Sequence, residues 1–178
     1  MVMWVVKGGQ HGELDREEYN LANGVVTLGW AQLPDLAGIP TEVAARDIVR
    51  RHAPTASTDR RIQTWGTVIR AFATQIEVGH LIAMPRKGRG LVVFGDVTEA
   101  YHYDAAMAEG EDRLAGPHRI GVRWAVPIAV DDLGRLDERL PRSLKGGLQT
   151  VYHLNPQDTE DRIRSELVMF SPWPDGAS

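Results

Sequence analysis

The sequence predicts an α+β domain: a curved mixed or antiparallel sheet, or small barrel, of about six strands with three or four helices packed outside it. Short apolar runs bounded by Gly and Pro cluster at both ends of the chain. Two helical stretches fall between the second and third of these runs. Strands and helices do not alternate, so a doubly wound parallel sheet is not expected.

Met1–Val6 is short, apolar and followed by Lys7-Gly8-Gly9, which predicts a buried strand. Asp15–Leu21 reads as a short helical turn. Asn23-Gly24 is a turn signal that introduces a second strand, Val25–Trp30. A Pro/Gly loop spans Pro34–Pro40. Thr41 then reads as an N-cap for a helix over Glu42–His52, with Ala44, Ile48 and His52 on one face. Arg46, Arg50 and Arg51 lie toward its other side.

Ile62, Trp65, Ile69, Phe72 and Ile76 recur at helical spacing, and Gly79 reads as the residue that stops that helix. Leu81–Met84 and Leu91–Val97 flank Pro85–Gly90, the chemistry of a β-hairpin. The second strand runs on toward Tyr101–Asp104, and a polar loop follows over Ala105–Pro117. Arg119–Val130 alternates, with Val122, Trp124, Val126 and Ile128 on one face and Pro127 marking an edge or bulge. Leu148–Leu154 predicts a last strand. Asn155-Pro156 opens a final helix reaching about Phe170, with Ile163 and Leu167 inward. One domain over 1–170 and a tail or linker over 171–178 are expected.

Composition narrows the chemistry. The chain of 178 residues has no cysteine, which removes disulfides, thiolate metal sites and cysteine nucleophiles. That fits a cytoplasmic protein. No signal peptide or membrane span is expected. A formal net charge of −4 argues against binding driven by non-specific phosphate contacts, so any nucleic-acid affinity has to come from a local patch.

No catalytic or cofactor fingerprint stands out. There is no G-x-x-x-x-G-K-[ST] loop, H-E-x-x-H helix or G-x-S-x-G elbow. Metal-dependent restriction nucleases place an acid two residues before a lysine. Here Val5, Pro85 and Ser143 precede Lys7, Lys87 and Lys145. The six histidines are scattered singly, and His102-x-Asp104 could contribute two ligands to a site but reads as a polar loop pair. No metal and no cofactor are expected.

Three segments in order carry a family resemblance. They are Met3-Trp4-Val5-Val6, then Gly24-Val25-Val26-x-Leu28-Gly29-Trp30. The third runs Ile76-x-x-Gly79-His80-Leu81-Ile82-Ala83-Met84-Pro85 and on through Val92-Val93-Phe94-Gly95-Asp96-Val97-Thr98-x-Ala100-Tyr101. With Val122-Arg123-Trp124, they resemble the EVE/YTH branch of the PUA-like superfamily. More narrowly, they resemble the N-terminal reader modules of Mrr-like modification-dependent restriction systems. His80 stands where that pattern has aspartate.

The resemblance implies a bacterial, PUA-like β-barrel that flips a modified base, such as 5-methylcytosine or N6-methyladenine, into an aromatic pocket. The partner implied is modified double-stranded DNA, with RNA less favoured. Any nuclease activity belongs to a separate domain or partner. Trp30 matches the pocket aromatic, and Trp65 lies near a helix start where a second wall is expected, so the two would sandwich the base. Tyr101 and Tyr103 share a strand face by period two and are candidates for stacking, and His11 for the pocket rim. Arg86, Lys87 and Arg89 form a cationic hairpin tip without a nearby acid in sequence, and Arg119 and Arg123 share a strand face. These five are the phosphate candidates. The alternatives are a small-molecule or RNA-processing enzyme on the same scaffold, using Asp104 with His102, and a protein-interaction module with a large apolar patch.

Overall fold

A computed structural model describes residues 3–9, 16–86, 88–109, 116–135, 138–146, 150–154 and 163–165. His11, Lys87, Leu167, the tail and most of the expected final helix lie outside these residues.

The apolar runs pair into one mixed sheet. Its strands are β1 (Met3–Val6), β2 (Val25–Leu28), β3 (Leu81–Arg86), β4 (Leu91–Tyr103), β5 (His118–Trp124), β6 (Ile128–Ala129) and β7 (Val151–Leu154). Their order is β2-β5-β4-β3-β1-β7, with β6 pairing the start of β4. β1 and β3 are parallel, Met3 opposite Leu81. The chain between them contains α1 (Arg16–Ala22), β2, α2 (Glu42–His52) and α3 (Asp59–Thr74), a connection long enough to return a strand in the same direction.

Among the described residues the sheet has two ends, β2 and β7, and is not closed into the barrel expected from the sequence. α1 packs against β2 and ties into β3 and β5. Asn20, fully buried, donates to Met84 Sδ of β3 at 3.7 Å and accepts from Thr27 Oγ1 of β2 at 3.0 Å. The Asn20 carbonyl also accepts the Trp124 indole N–H at 3.0 Å. The Asn20 side-chain amide and backbone carbonyl thus satisfy side-chain groups on three strands.

Period-two alternation sorts the strand residues between two cores. Trp4, Val6, Val26, Leu28, Ile82, Ile120 and Val122 face Val68, Ala71, Phe72 and Ile76 of the α3 segment. Met3, Val5, Leu81, Ala83, Val92 and Phe94 face a second layer. That layer contains a 3₁₀ turn at Val130–Arg135, α5 (Leu140–Gly146) and Ile163. A third cluster tucks Leu33, Leu36 and Ile39 of the Pro/Gly loop against Ala45, Val49 and Ile69 of α2 and α3. Phe72 is fully buried at the sheet interface, so Phe72→Ala is expected to cost about 3–5 kcal/mol in urea denaturation.

Local expectations fail where backbone chemistry intervenes. α3 ends at Thr74, and Ile76 packs from the following turn. Gly79 takes φ +86° in the turn before β3 rather than at the helix end. The expected strand over Arg119–Val130 divides at Ala125–Pro127, because Pro127 cannot donate to the ladder, and Val126 is left exposed. The loop after Tyr103 includes a short helix, α4 (Ala106–Glu109). Among the described residues, no helix is long and apolar enough to cross a membrane.

Candidate functional site

The aromatic candidates gather where β2 leaves the sheet. Trp30 follows the end of β2, and its indole stacks on Trp65 of α3 with centroids 4.9 Å apart and planes 26° apart. Both rings are half-buried against the Leu33–Ile39 cluster. Rings in contact at this distance leave no space for a third plane. The sandwich expected from the sequence is therefore not formed, and the two indoles make one wall.

Beside that wall runs a chain of polar contacts. The Tyr101 hydroxyl accepts the Leu36 N–H at 2.9 Å. It lies 3.1 Å from Asp35 Oδ1 and 3.0 Å from His118 Nδ1. His118 Nε2 lies 3.2 Å from the Trp30 carbonyl. A carbonyl can only accept, so this contact is a hydrogen bond when Nε2 carries the proton. Nδ1 of the neutral ring is then the acceptor for the phenol. The single phenolic proton serves either Nδ1 or Asp35, and not both at once.

The ring geometry is equally tight. Tyr101 meets Phe72 edge-on at 6.2 Å and lies nearly parallel to His118 at 6.1 Å. Tyr103 tilts against His118 at 5.3 Å, so both strand tyrosines reach the same imidazole. Burial pushes the Tyr101 phenol well above its ordinary range, and the charge of Asp35 adds to this against the Leu36 N–H. Burial lowers His118 to about 4, against the opposing pull of the Trp30 carbonyl and Asp35.

The sequence reading missed His118 by starting the strand one residue late. Its signal is phase. His118 stands in register with Ile120, Val122 and Trp124, the inward face of β5.

The cations are arranged differently from expectation. Arg86 is not a surface phosphate contact. It is 6% exposed, and its Nε donates to Glu17 Oε2 at 3.0 Å while Nη2 donates to Glu18 Oε1 at 2.5 Å. Desolvation opposes its charge, but the two carboxylates outweigh it and hold the guanidinium above its ordinary range. Arg89 pairs with Glu18 at 3.1 Å, so α1 supplies the hairpin with the acids that no sequence neighbour provides.

Arg119 sits 3.5 Å from Asp104, lies over the Tyr19 ring at 5.6 Å and donates to the Tyr19 hydroxyl. Arg123 faces Asp96 at 3.4 Å and is 60% exposed in its side chain. The Arg89–Glu18 pair is exposed on both sides, the kind worth about 0–1 kcal/mol, whereas Arg123 is exposed but its partner Asp96 is mostly buried and also pairs with Arg164. Arg86 cannot leave its partner for a phosphate, because leaving the buried Glu17 carboxylate unpaired costs about 3–5 kcal/mol.

Arg60 and Arg61, in the first turn of α3, were also missed. Both are exposed, and Arg61 donates to the Thr55 carbonyl at 3.0 Å. Arg61 precedes Trp65 by four residues, so the two share a helix face. That spacing was readable beforehand.

His102 is exposed, and its expected companion Asp104 faces Arg119. Among the described residues, no three His, Cys, Asp or Glu side chains gather as a metal site. Both His118 nitrogens are engaged within the fold.

A family model described as a domain of unknown function, DUF8426, matches residues 4–155. Among solved structures, the chain is similar to protein Atu2648 from Agrobacterium tumefaciens at 14% identity and a TM-score of 0.41. The similarity covers 93% of this chain and 92% of that one. No curated protein matches the chain.

Proposed function

The chain belongs to the DUF8426 family, and for this member we propose a PUA-like reader of a modified base in DNA that itself performs no chemistry. The observation that carries the reading is the half-buried Trp30–Trp65 wall beside the Asp35–Tyr101–His118 chain. An extruded base stacks on the outer side of that wall. Stacking contributes about 1–3 kcal/mol per base. Extrusion costs a few kcal/mol, so backbone contacts have to make up the difference. In this reading Arg60 and Arg61, on the helix that carries Trp65, make these contacts, and Arg89, Arg119 and Arg123 are secondary ones. A methyl group fitted against the wall adds about 0.8 kcal/mol, so shape rather than affinity decides between bases.

The engaged imidazole supports binding over catalysis, because a general base needs a free nitrogen to offer a substrate. Cleavage of the marked DNA falls to a separate domain or partner.

Fluorescence anisotropy at low salt tests the reading. The probes are matched duplexes carrying cytosine, 5-methylcytosine, 5-hydroxymethylcytosine, adenine or N6-methyladenine. One modified duplex is expected to bind best, and Trp30→Ala is expected to weaken it about tenfold or more, the equivalent of 1.4 kcal/mol. Arg61→Ala is expected to weaken all duplexes alike and to reduce the salt slope by about 1. Absence of binding to every duplex at micromolar protein overturns the DNA reading and leaves modified RNA as the next probe.

A further inference from the structure

Among the described residues, Arg16, the first residue of α1, is a buried cation without a counter-charge. It is 8% exposed, and its Nε–H donates to the Gly8 carbonyl at 2.7 Å. Among the described residues no carboxylate pairs with it, for the neighbouring Glu17 turns to Arg86 at 3.0 Å. A guanidinium has five N–H donors, and Gly8 accounts for one of them.

Its head group lies against Gly29. A Cβ on that residue would stand 1.2 Å from Arg16 Nη1, so the guanidinium occupies the space that any side chain at position 29 would need. Trp30 is the next residue. Burial holds the Arg16 guanidinium below its ordinary range. Buried charges are ordinarily paired, and an uncompensated one is kept only against a substantial desolvation cost.

We propose that Arg16 is an anion site, one residue from the stacking wall, that takes a phosphate group of the ligand. The planar fork of arginine suits bidentate phosphate recognition. The anion site stands on Arg16 alone, and only the identity of its carrier, a nucleotide, rests on the reader proposal. A free nucleotide and a nucleic-acid strand offer the same group.

The experiment is a thermal shift with parallel calorimetry on the full chain at constant ionic strength in chloride. The probes are inorganic phosphate, a deoxynucleoside 5′-monophosphate and a short single-stranded oligonucleotide. For a probe at about 100-fold over its Kd, the wild type is expected to gain about 5–10 °C in Tm. Arg16→Gln is expected to lose that gain. In phosphate-free buffer its Tm is expected to equal or exceed that of the wild type, because an uncompensated charge has been removed.

A shift with phosphate or mononucleotide identifies a free anion as sufficient, and a shift with the oligonucleotide alone identifies the strand. No shift with any probe overturns the site. So does a large Tm loss in Arg16→Gln with the phosphate response intact, which would make Arg16 a structural tie between β1 and β2. Arg16→Lys, which keeps the charge without the fork, covers a variant that fails to fold: its shift is expected to fall by half or more, and an undiminished shift counts against Arg16. Failure of the reader proposal leaves the phosphate response in place, whereas failure of the anion site leaves a Trp30-dependent base preference in place.

Discussion

Glu17→Ala is expected to destabilise the fold by about 3–5 kcal/mol, more than any surface substitution in this chain. Its carboxylate is almost fully buried and 3.0 Å from a guanidinium that is equally buried. Removing it leaves the Arg86 charge in a desolvated site with Glu18, itself half-exposed and shared with Arg89, as the remaining acid. The pair is not a source of stability in its own right, since attraction and desolvation nearly cancel. The double variant Glu17→Leu/Arg86→Met, of similar volume and without charge, is therefore expected to recover most of the loss. Urea denaturation of the wild type, the single and the double variant measures both. A cost below about 1 kcal/mol for the single variant, or a double variant as unstable as the single, would sink the argument. The same geometry predicts that Arg86→Ala reports on folding rather than on DNA affinity.

The second large effect is a pH dependence centred on His118. Its folded pKa of about 4 lies below the ordinary 6.5, so between those values the unfolded chain binds more protons than the folded one. Stability therefore rises with pH across that window. The contribution is fully present above pH 6.5 and is lost as the pH falls toward 4. The shift corresponds to roughly 3 kcal/mol. Because Nε2 meets the Trp30 carbonyl and Nδ1 meets Tyr101, the loss should register first at the aromatic wall. Denaturation midpoints of the wild type and His118→Gln between pH 4 and 7 test this. The wild-type slope should vanish in the variant. An unchanged slope would assign the effect to other groups, and a slope of opposite sign would show that proton uptake by the Asp35–Tyr101–His118 chain outweighs burial.

The outcome for the candidate site separates what a local pattern carries from what it does not. Trp30, Trp65, Tyr101 and Tyr103 were legible because aromatics at strand ends and on an apolar helix face have few destinations. The structure brings Trp30 against Trp65, and both tyrosines against His118. The hairpin arginines were misread for a physical reason. A run of cations in a turn looks solvated unless an acid lies nearby, and here the acid is 69 positions away in the chain. The Asp35–Tyr101 contact spans 66 positions and was likewise invisible.

The sequence by itself determined most of the strands and the helices α1, α2 and α3, because strand alternation, helical spacing, capping and proline chemistry act over a few residues. It did not determine α4, the 3₁₀ turn or α5. The Thr41 cap, whose hydroxyl accepts the Ala44 N–H at 3.2 Å, and the helix over Glu42–His52 stand where they were read. The cores on the two sheet faces follow from the same periodicity. Only the tertiary structure decided the strand order, the packing of α1 against β2, the contact between the indoles, and which arginines are neutralised. Each of these depends on groups that meet only after the chain has returned on itself, where a buried charge is governed by its spatial neighbours and not by its sequence neighbours.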